Sequence, residues 1–585
     1  MAAPKRASAK LTQPAVAGRE TFMPRRITNA TIAGLLRRYA GVLALQGANR
    51  FKVKAYRRAA DTIETSPESM AQLLSRGQDL AELPAIGAAI SALIAEIVRT
   101  GMISRLEQAA GELAPGLLEL AGKPGLDPKK ILRLYKKLQI ASPAELREKL
   151  DAGEVRTLLG QRLDFQLRQA LDPRPRMLLW AAEKLVPGFK SYLASQCGAS
   201  RVEPIGSLRR KKDTVSDLGF LVAGERASII FKRFAGFGAA QSSVSLGRKE
   251  ILFELSGGRS VKLIWTPEEA RGLAMLQHTG SPAHLEALKR RAAERKIRLT
   301  RAGLRKRAAD EAQIYRALGL DPIEPELREG RGEIQAAATG ELPQLVAVGD
   351  LKGDLHMHTT ASDGAHSIED MALAALKRGY KYIAITDHSR SLKIANGLSE
   401  KRLFQQIREI DRINAKLRGI TILKSAEVDI LEDGRLDYSN AALRELDLTV
   451  CSVHSKFALD SRRQTERIKR AMDNPYFNIL GHATGRLLLQ REGYAPDMEK
   501  LIAHASACGC CFEINSSPNR LDLSDEHARM AKEAGVKIAI STDAHSISEL
   551  QFITAGINQG RRGWLEPRDV LNAFSLSRLK ASLRR

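Results

Sequence analysis

The sequence predicts a multidomain α/β protein in three parts: a helical front part, a mixed α+β middle and a C-terminal α/β barrel. Three observations support this prediction. Glycine turns open apolar helical patterns in the front part, and a Gly-Ser turn followed by an apolar strand marks the middle. After residue 350, short apolar runs alternate with helical patterns. At about 150 residues per domain, a chain of 585 residues holds roughly three to five domains.

The net charge of +25 is concentrated in the front and middle parts. Residues 1–350 carry 57 Lys and Arg against 37 Asp and Glu, a net charge of +20, whereas residues 351–585 carry 35 against 30, a net charge of +5. This excess favours a polyanionic partner such as nucleic acid, although lysines that only solubilise helix surfaces would give a similar count. Five cysteines without a disulfide spacing indicate reduced thiols and not metal ligands. No apolar run approaches the ~18 residues of a membrane span.

Two glycine turns in the front part have the pattern of a helix-hairpin-helix motif. Residues 83–87 read Leu-Pro-Ala-Ile-Gly before an apolar helical pattern, and residues 123–131 repeat the arrangement with two lysines at the helix start. Such a turn presents free backbone N–H groups to a phosphate without reading bases. A third turn, at residues 159–161, is too degenerate to count. The predicted DNA contacts are Lys52, Lys54, Gly87, Gly125, Lys129 and Lys130.

Residues 51–60, together with the first hairpin, resemble the N-terminal domain of the X-family DNA polymerases. In the eukaryotic repair members of that family, a lysine on the second helix of the hairpin forms a Schiff base with the abasic sugar. The matching position in this chain is Leu93, which has no amine. Because lyase chemistry needs an amine nucleophile, the resemblance predicts DNA binding without lyase activity.

The middle part resembles the palm of the same family but lacks most of its carboxylates. In the family, one strand carries two aspartates at positions i and i+2; here Asp217 is present and the second position is Gly219. The third carboxylate position is Lys262, whose charge opposes metal binding, so we expect an inactive polymerase site without a Mg²⁺ pair. Residual nucleotide or DNA-end binding and a purely structural role are equal alternatives. The residues considered for such binding are Gly206, Ser207, Arg209, Arg210, Asp217, Gly280 and Ser281.

Polar side chains follow the predicted strands of the C-terminal part. Barrel enzymes place their chemistry at the C-terminal strand ends, and six of the 11 histidines fall at such positions beside three carboxylates. Ser367 predicts the start of one of the intervening helices, which runs to Lys377. A structural explanation fits any one of these histidines but not the whole set. The strand-end residues are His356, His358, Asp363, His388, Glu427, His454, His482, Asp543 and His545.

This part resembles the PHP (polymerase and histidinol phosphatase) family over its last ~235 residues. The segments 481–487 and 513–516 are similar to the form fused to bacterial X-family polymerases. The resemblance implies that all nine strand-end residues are metal ligands. They would hold up to three divalent ions, Mn²⁺ foremost with Zn²⁺ or Fe²⁺ as alternatives, that activate water and neutralise the leaving oxygen. The implied catalytic residues are His356, His358, Asp363, Glu427 and Asp543, with Lys456, Arg486 and Arg520 as phosphate holders.

The predicted domains follow from these patterns. They are a basic tail at 1–25, an N-terminal helix-hairpin-helix DNA-binding domain at 26–105, a second, fingers-like helix-hairpin-helix domain at 106–175, and a palm/thumb-like nucleotidyltransferase domain at 176–335. Residues 336–350 form a linker within the stretch from Asp310 to Asp350, whose composition is typical of linkers, and the PHP metallophosphoesterase domain spans 351–585.

The predicted function is a DNA repair enzyme of the X-family polymerase/PHP type, a metal-dependent 3′–5′ exonuclease or 3′-end phosphoesterase with a silent polymerase domain. Its expected partner is gapped or 3′-ended duplex DNA, bound without sequence preference, and its expected location is the bacterial cytoplasm, at the nucleoid. Three alternatives stay open: an active gap-filling polymerase with 3′–5′ exonuclease, a small-molecule phosphatase of the histidinol-phosphatase type, and a non-enzymatic DNA-end scaffold.

Overall fold

The structure is a computed structural model that describes residues 27–66, 68–106, 120, 128–140, 142–172, 175–255 and 258–583. The basic tail predicted at 1–25 and the turn residue Gly125 lie outside these ranges. Within the described ranges, no helix combines the length and the apolar character that crossing a membrane requires.

The front part begins with a four-helix unit that has its own apolar core. Gly87 is the N-cap of the fourth helix, so the first predicted hairpin turn opens a helix as expected. A buried ion pair between Arg37 and Glu64 joins the first two helices, with 2.7 Å between Nη1 and Oε1. The helices are α1 (Asn29–Leu45), α2 (Arg50–Thr65), α3 (Met70–Ser75) and α4 (Ala88–Thr100).

A second helical unit follows, built around a separate core. Gly160 has a φ of +95° and joins two consecutive helices, so the degenerate third turn is a glycine turn that opens a helix. Glycine adopts this backbone without the steric cost that a Cβ would add. The helices are α5 (Pro128–Leu138), α6 (Pro143–Asp151), α7 (Glu154–Leu159) and α8 (Gln161–Leu171).

The middle part is a five-stranded mixed sheet packed against α9 (Leu179–Ser195). Its strand order is β2-β4-β7-β6-β5, in which only the β4–β7 pair is parallel. The strands are β2 (Ala199–Pro204), β4 (Leu218–Gly224), β5 (Ala240–Gly247), β6 (Glu250–Leu255) and β7 (Ser260–Trp265), and a separate two-stranded pair is formed by β1 (Met177–Leu178) and β3 (Thr214–Val215). The short helices α10 (Gly206–Arg209) and α11 (Ala227–Phe234) complete this part.

The stretch from Asp310 to Asp350, interpreted as a linker from its composition, is folded through most of its length. Ile314 and Leu318 are fully buried in a helical core, and Val346 is fully buried in the barrel core. The linker interpretation therefore does not hold for the helical segments, in which charged and small residues concealed apolar positions at helical spacing. Residues 341–347 contain neither helix nor strand. The helices that precede this stretch are α12 (Arg271–Thr279), α13 (Pro282–Glu294) and α14 (Arg301–Leu304). The stretch itself contains α15 (Glu311–Ala317) and α16 (Glu333–Thr339), with 3₁₀ turns at Pro325–Leu327 and Val348–Asp350.

The C-terminal part confirms the predicted parallel barrel. Seven parallel strands follow one another in sequence order, and a bridge between Met357 and Ala544 nearly closes the sheet. Asp543 N donates to His356 O at 2.9 Å and His358 N donates to Ala544 O at 2.8 Å. The strands are β8 (Gly353–Asp354), β9 (Tyr382–Ile385), β10 (Thr421–Asp429), β11 (Leu448–Ser452), β12 (Ile479–Leu480), β13 (Cys511–Asn515) and β14 (Ile538–Ser541).

Helices surround the barrel, and the C-terminal segment packs against the amino ends of its strands. Ser367 and Asp370 form a capping box at the start of α17 (Ile368–Lys377), as the sequence indicated. Leu571, Phe574 and Leu579 join the apolar core inside the barrel. The other helices are α18 (Glu400–Lys416), α19 (Asn440–Leu443), α20 (Ser461–Met472), α21 (Met498–Cys508), α22 (Asp525–Glu533), α23 (Ile553–Arg562) and α24 (Leu576–Ser582).

The barrel is joined to the middle part by buried arginines. Arg562, with 2% of its side chain exposed, contacts Glu329 at 2.9 Å and Asp525 at 2.6 Å, and donates to Arg210 O at 2.8 Å. Arg331 makes a further ion pair with Asp525 at 3.0 Å. Because these charges are buried and mutually paired, breaking one pair leaves a partner without compensation.

Candidate metal centre

The barrel brings all nine predicted ligands together at the carboxyl ends of its strands. The loop after β8 carries His356, His358 and Asp363, and the loop after β14 carries Asp543 and His545. The bridge that nearly closes the barrel holds these two loops side by side. Of the remaining ligands, His388, His454 and His482 follow β9, β11 and β12, and Glu427 lies within β10 near its end. The parallel register of the short apolar strands therefore brings the ligands to one end of the barrel.

Glu427 lies at the centre of this cluster, fully enclosed at the end of β10. Five histidine rings place a nitrogen within 3.7 Å of one of its carboxylate oxygens. A carboxylate in an ordinary ion pair has one or two cationic partners, not five histidines. A carboxylate surrounded by ring nitrogens in this way is suited to binding divalent cations. The nitrogen–oxygen distances are 2.7 Å for His388, 2.9 Å for His482, 3.3 Å for His454, 3.6 Å for His356 and 3.7 Å for His358.

Two further carboxylates extend the cluster toward solvent. Asp543 lies 3.1 Å from His358 Nε2 and 3.6 Å from His356 Nε2. Asp363, about one third exposed, lies 3.5 Å from His545 Nε2. Eight of the nine ligands fall into three adjoining groups that share His358 and His388, whereas His482 lies outside these groups and contacts Glu427. The groups are His358, Asp363, His388 and His545; His356, His358 and Asp543; and His388, Glu427 and His454.

Buried carboxylates behind the ligands fix the ring orientations, and sequence reasoning assigned them no such role. Glu513 Oε1 shares a hydrogen bond with His356 Nδ1 at 2.7 Å, and its Oε2 accepts from His482 N at 2.9 Å. Asp429 Oδ1 shares one with His454 Nδ1 at 2.5 Å. A carboxylate on the far ring nitrogen fixes the tautomer and directs the other nitrogen at a metal. The sequence signal that could have identified Glu513 and Asp429 is an acidic residue inside or at the end of an otherwise apolar strand.

The loops that carry the ligands are also fixed by carboxylates. Asp387 accepts hydrogen bonds from Thr359 Oγ1 at 2.6 Å and Ser362 Oγ at 2.5 Å, which holds the loop leading to Asp363. Asp354 accepts from Thr542 Oγ1 at 2.5 Å beside Asp543. These hydrogen bonds fix the loops after β8 and β14, which meet where the barrel nearly closes.

The electrostatics keep the site's carboxylates ionised. Burial opposes ionisation, but the rings of His454, His388 and His356 hold the pKa of Glu427 well below its usual range. The pKa of Asp543 is likewise held low, chiefly by His356 against the effect of burial. Ionised carboxylates are the form that binds divalent cations.

The histidines divide into two classes by pKa. Burial and the neighbouring His388 lower the pKa of His358 to about 4, so this ring is neutral and ready to bind a cation. Burial also favours the neutral form of His454, but Glu427 and Asp429 outweigh it and raise the pKa of His454 to about 10. Asp363 and Asp543 outweigh burial in the same way and raise the pKa of His545 to about 9. A cation must therefore displace protons from the second class.

Several buried donor atoms in the described barrel have no hydrogen-bond partner. They include His356 Nε2, His358 Nδ1, His482 Nδ1 and Glu427 Oε2. A buried polar atom without a partner costs free energy, so a cluster of them indicates a missing ligand. Nitrogen and oxygen donors without a thiolate suit Mn²⁺, Zn²⁺ or Fe²⁺, so the residues present fit a cluster of such ions.

Of the three predicted phosphate holders, one reaches the cluster. Arg520 Nε lies 3.5 Å from Asp543 Oδ2. Arg486 Nε instead donates to Arg520 O at 3.0 Å, and Arg486 forms an ion pair with Asp213 at 3.5 Å. Lys456 forms an exposed ion pair with Glu432 at 2.8 Å. The structure therefore places Arg486 as a support for the loop that carries Arg520.

The palm face that would hold metals is filled by apolar and cationic groups. Asp217 is half-buried there, and a Cβ built on Gly219 would lie 2.9 Å from Ile205 Cγ1. Lys262 pairs with Gly219 across the sheet and forms an ion pair with Glu250. The four buried residues Ile205, Leu221, Ile264 and Met275 form an apolar cluster beside this position.

The arginines of the predicted residual nucleotide site are engaged in internal ion pairs. Arg209 contacts Glu311 at 2.5 Å, and Arg210 contacts Glu329 at 2.9 Å. Ser281 is the N-cap of α13 and its hydroxyl accepts from the backbone N–H of His284 at 3.1 Å. Gly206, with a φ of +64°, opens the single-turn helix that contains Ser207. Gly280 directly precedes the Ser281 cap.

The predicted DNA contacts lie on separate helices of the front part. Lys52 and Lys54 are exposed on α2, and Gly87 opens α4. Leu93 is buried in the core of this unit, which agrees with its having no chemical role. Lys130 lies near Gln166 of α8, Lys129 is in the first turn of α5, and Gly125 is outside the described residues.

None of the five cysteines forms a disulfide in the part of the chain that the structure describes. Four are buried, whereas Cys508 is half-buried at the end of α21 and is not a core residue. Its sulfur lies 3.5 Å from His504 Nε2, and Asp473 completes a surface group of three side chains.

Comparisons with known proteins agree with this division of the chain. Family models of a helix-hairpin-helix domain, a DNA polymerase beta thumb and a PHP domain match residues 27–103, 274–329 and 354–517, respectively. The "DNA polymerase/3'-5' exonuclease PolX" of Bacillus subtilis (strain 168) is 35% identical over 569 residues, which is 95% of this chain and 99% of that protein. A "Probable phosphatase" of Thermoanaerobacter sp. (strain X514) is 34% identical over 203 residues, 33% of this chain and 78% of that protein. Another, of Shewanella amazonensis, is 31% identical over 207 residues, 34% of this chain and 78% of that protein.

Proposed function

The chain belongs to the X-family DNA polymerases that carry a C-terminal PHP domain, and on this basis we propose that its barrel is the working enzyme. The proposed reaction is metal-dependent hydrolysis at DNA 3′ ends, as a 3′–5′ exonuclease or a 3′-end phosphoesterase in repair. DNA is the partner that the helix-hairpin-helix and thumb units indicate. We propose gapped or 3′-ended duplexes, bound without sequence preference, as the form of DNA recognised.

The observation that supports this proposal is the contrast in ligands between the two candidate sites. Around Glu427 in the barrel, five histidine nitrogens lie within 3.7 Å of one carboxylate. On the palm face, Asp217 stands near Gly219 and Lys262. A pair of divalent ions needs several carboxylates, so the barrel can hold metals where the palm cannot.

The nine barrel ligands would hold up to three divalent ions, with Mn²⁺ the preferred candidate and Zn²⁺ or Fe²⁺ the alternatives. When bound, such ions supply an activated water for attack on phosphorus and neutralise the charge that develops on the leaving oxygen. Glu427 and Asp543, whose carboxylates are held ionised, would be among the ligands of these ions. Glu513 and Asp429 would keep His356 and His454 in the orientation that directs a ring nitrogen at the cluster.

The palm and helical units would then serve to bind DNA. The front and middle parts carry the net charge of +20, and Lys52 and Lys54 are exposed on α2 for contact with phosphates. Arg209 and Arg210, which an active palm would direct at a nucleotide, are ion-paired to Glu311 and Glu329. The proposed role of this half is therefore to position a DNA end, without nucleotide addition.

The test uses duplexes that carry a labelled strand with different 3′ ends, incubated with Mn²⁺ and the full chain. A ladder of shortened strands indicates an exonuclease, and release of phosphate from a 3′-phosphate end without shortening indicates an end-cleaning phosphoesterase. Hydrolysis of small phosphomonoesters in preference to DNA would contradict the proposal, because it is the behaviour expected of a small-molecule phosphatase.

A further inference from the structure

An aspartate, a histidine and a cysteine meet on the outer surface of the barrel and form a surface triad of Asp473, His504 and Cys508. His504 and Cys508 are one helical turn apart near the end of α21, so they lie on the same face of that helix. Asp473 directly follows the last residue of α20, and its backbone N–H donates to Lys469 O at 3.1 Å. The packing of α20 against α21 therefore brings the three side chains together.

The three donor atoms of the surface triad converge on one point. His504 Nε2 lies 2.9 Å from Asp473 Oδ1 and 3.5 Å from Cys508 Sγ. The sulfur lies 4.0 Å from the same carboxylate oxygen. In a tetrahedral Zn²⁺ site, metal bonds of about 2.0–2.3 Å place the donor atoms roughly 3.3–3.6 Å apart. The observed triangle has edges on both sides of this range, so small side-chain rotations suffice to bind one ion.

Hydrogen bonds account for this arrangement less completely than a cation does. The Asp473 oxygen and the Cys508 sulfur both approach the same nitrogen, Nε2 of His504. A proton on Nε2 points directly at only one of these two atoms, because an imidazole N–H has one direction in the plane of its ring. Without that proton, the lone pair of Nε2 faces the carboxylate oxygen. A cation between the three atoms satisfies all of them at once.

The donor set of the surface triad differs in chemistry from that of the barrel centre. The nine barrel ligands offer nitrogen and oxygen atoms, whereas the triad includes a sulfur. A thiolate beside an imidazole favours Zn²⁺ over harder cations such as Mg²⁺ and Mn²⁺. Both α20 and α21 end at the triad, and the partial negative charge at the carboxyl end of a helix stabilises a cation. The group therefore fits a single thiophilic divalent cation.

The surface triad lies at the end of the barrel opposite to the metal centre. Asp473 and Cys508 shortly precede β12 and β13, so they lie near the amino ends of these strands. The barrel ligands, in contrast, lie at the carboxyl ends. The side chain of Asp473 is 62% exposed and that of His504 is 24% exposed, so an ion can reach them from solvent and water can take the fourth position.

We propose that the surface triad binds one Zn²⁺ ion, which bridges the carboxyl ends of α20 and α21. Asp473 Oδ1, His504 Nε2 and the Cys508 sulfur are the three protein ligands. The Cys508 thiol loses its proton to solvent when its bond to the ion forms. The spacing of the cysteines predicted no metal ligand, because the partners of Cys508 are a histidine and an aspartate from two different helices. The site is independent of the proposed hydrolysis, in which this ion takes no part.

The first experiment uses Co²⁺ as a spectroscopic substitute for Zn²⁺ on the full, reduced chain. A thiolate bound to Co²⁺ gives a sulfur-to-metal charge-transfer band in the near ultraviolet, which the barrel centre cannot produce because its ligands include no sulfur. The wild type should show this band, Zn²⁺ should abolish it by replacement, and excess Mg²⁺ should leave it unchanged. Cys508→Ser and His504→Gln should lack the band. The control Asp411→Asn, which alters an exposed aspartate on α18 that is paired with Lys424, should keep it.

A reactivity measurement tests the same site without a coloured metal. The other four cysteines are buried, so iodoacetamide modifies Cys508 in the folded chain. Zn²⁺ should slow this modification by at least about tenfold in the wild type and in Asp411→Asn, and not in His504→Gln, whose thiol is intact. A cobalt band that survives in Cys508→Ser, or equal modification rates with and without Zn²⁺ in the wild type, would overturn the site. Neither measurement needs DNA hydrolysis, so failure of the proposed function would leave both results unchanged.

Discussion

The barrel centre and the palm face are both placed on sheets where phosphate chemistry could occur, but they differ in what surrounds the acids. In the barrel, Glu427 is surrounded by histidines and backed by Glu513 and Asp429. On the palm face, Ile205 of the apolar cluster lies against Gly219, two residues from Asp217, and Lys262 forms an ion pair with Glu250.

The difference shows that a metal site depends on its supporting residues as much as on its ligands. In the barrel, a second carboxylate fixes the loop that carries Asp363 and the loop that carries Asp543: Asp387 holds the first and Asp354 the second. In the palm, Ile205 occupies the space that a side chain at position 219 would need. Restoring one carboxylate would therefore not restore the palm, whereas removing one should disable the barrel.

The sharpest test of this contrast is Asp543→Ala. Loss of a central carboxylate should lower DNA hydrolysis by more than about 1,000-fold, because the ions that activate water lose a ligand. DNA affinity in EDTA should change by less than about twofold, since Asp543 is enclosed in the barrel. The control is Asp433→Ala, an exposed aspartate paired with Arg435. Hydrolysis that survives in Asp543→Ala would remove the barrel from its assigned role.

A second variant tests the supporting residues. Glu513→Gln keeps the side-chain volume but weakens the hydrogen bond to His356 Nδ1, so metal affinity should fall by about 10–100-fold. Isothermal titration with Mn²⁺ measures this directly on the metal-free protein. The matched control is Glu466→Gln, which alters an exposed carboxylate that forms an ion pair with Lys469 outside the ligand cluster. Equal Mn²⁺ affinity in wild type and Glu513→Gln would show that the ligands need no such support.

The pH dependence of metal binding follows from the raised pKa values of His454 and His545, about 10 and about 9. Both rings hold a proton below these values, and a cation can bind only after displacing it. Metal affinity should therefore rise as pH increases from 6 to 9, by up to about tenfold per pH unit for each proton released. Titrations at pH 7 in buffers of different ionisation enthalpy count the released protons. Binding that releases no proton would contradict the assigned charge states.

The smallest predicted effect concerns the palm. Gly219→Asp restores one family carboxylate but forces a side chain against Ile205, so it should destabilise the protein by about 1–3 kcal/mol. It should produce no primer extension, since Lys262 remains opposite. Thermal unfolding in the absence of metal measures the first effect, with Gly349→Asp as control because its Cβ position is open. A gain of nucleotide addition in Gly219→Asp would show that the palm is intact apart from one residue.

Much of the barrel could be predicted from the sequence because its pattern is local. Apolar runs ended by His, Asp or Glu indicated both the strands and the ligands, and Ser367 indicated the start of α17. The inactive palm stays a prediction, which rests on the resemblance of the positions of Gly219 and Lys262 to positions where the family carries carboxylates. Helix-hairpin-helix turns were recognisable where a glycine opened an apolar helix, as at Gly87.

The remaining features depend on contacts distant in sequence. Glu513 approaches His356 only when the barrel closes, and no spacing in the chain indicates this pair. The ion pairs of Arg210 with Glu329 and of Arg562 with Asp525 likewise join different parts of the fold. The segment containing Ile314 and Val346 was interpreted as a linker because its composition hid residues that are buried against distant elements.

The central claim, a working barrel beside a silent palm, is tested most directly in one reaction. The full chain is incubated with Mn²⁺, all four nucleotides and a gapped duplex whose primer is labelled at its 5′ end. The account predicts a ladder of shortened primers and no extension, both in the wild type and in Asp217→Ala. Primers that lengthen in the wild type and not in Asp217→Ala would contradict it, because they would show that the palm holds its metals despite Gly219 and Lys262.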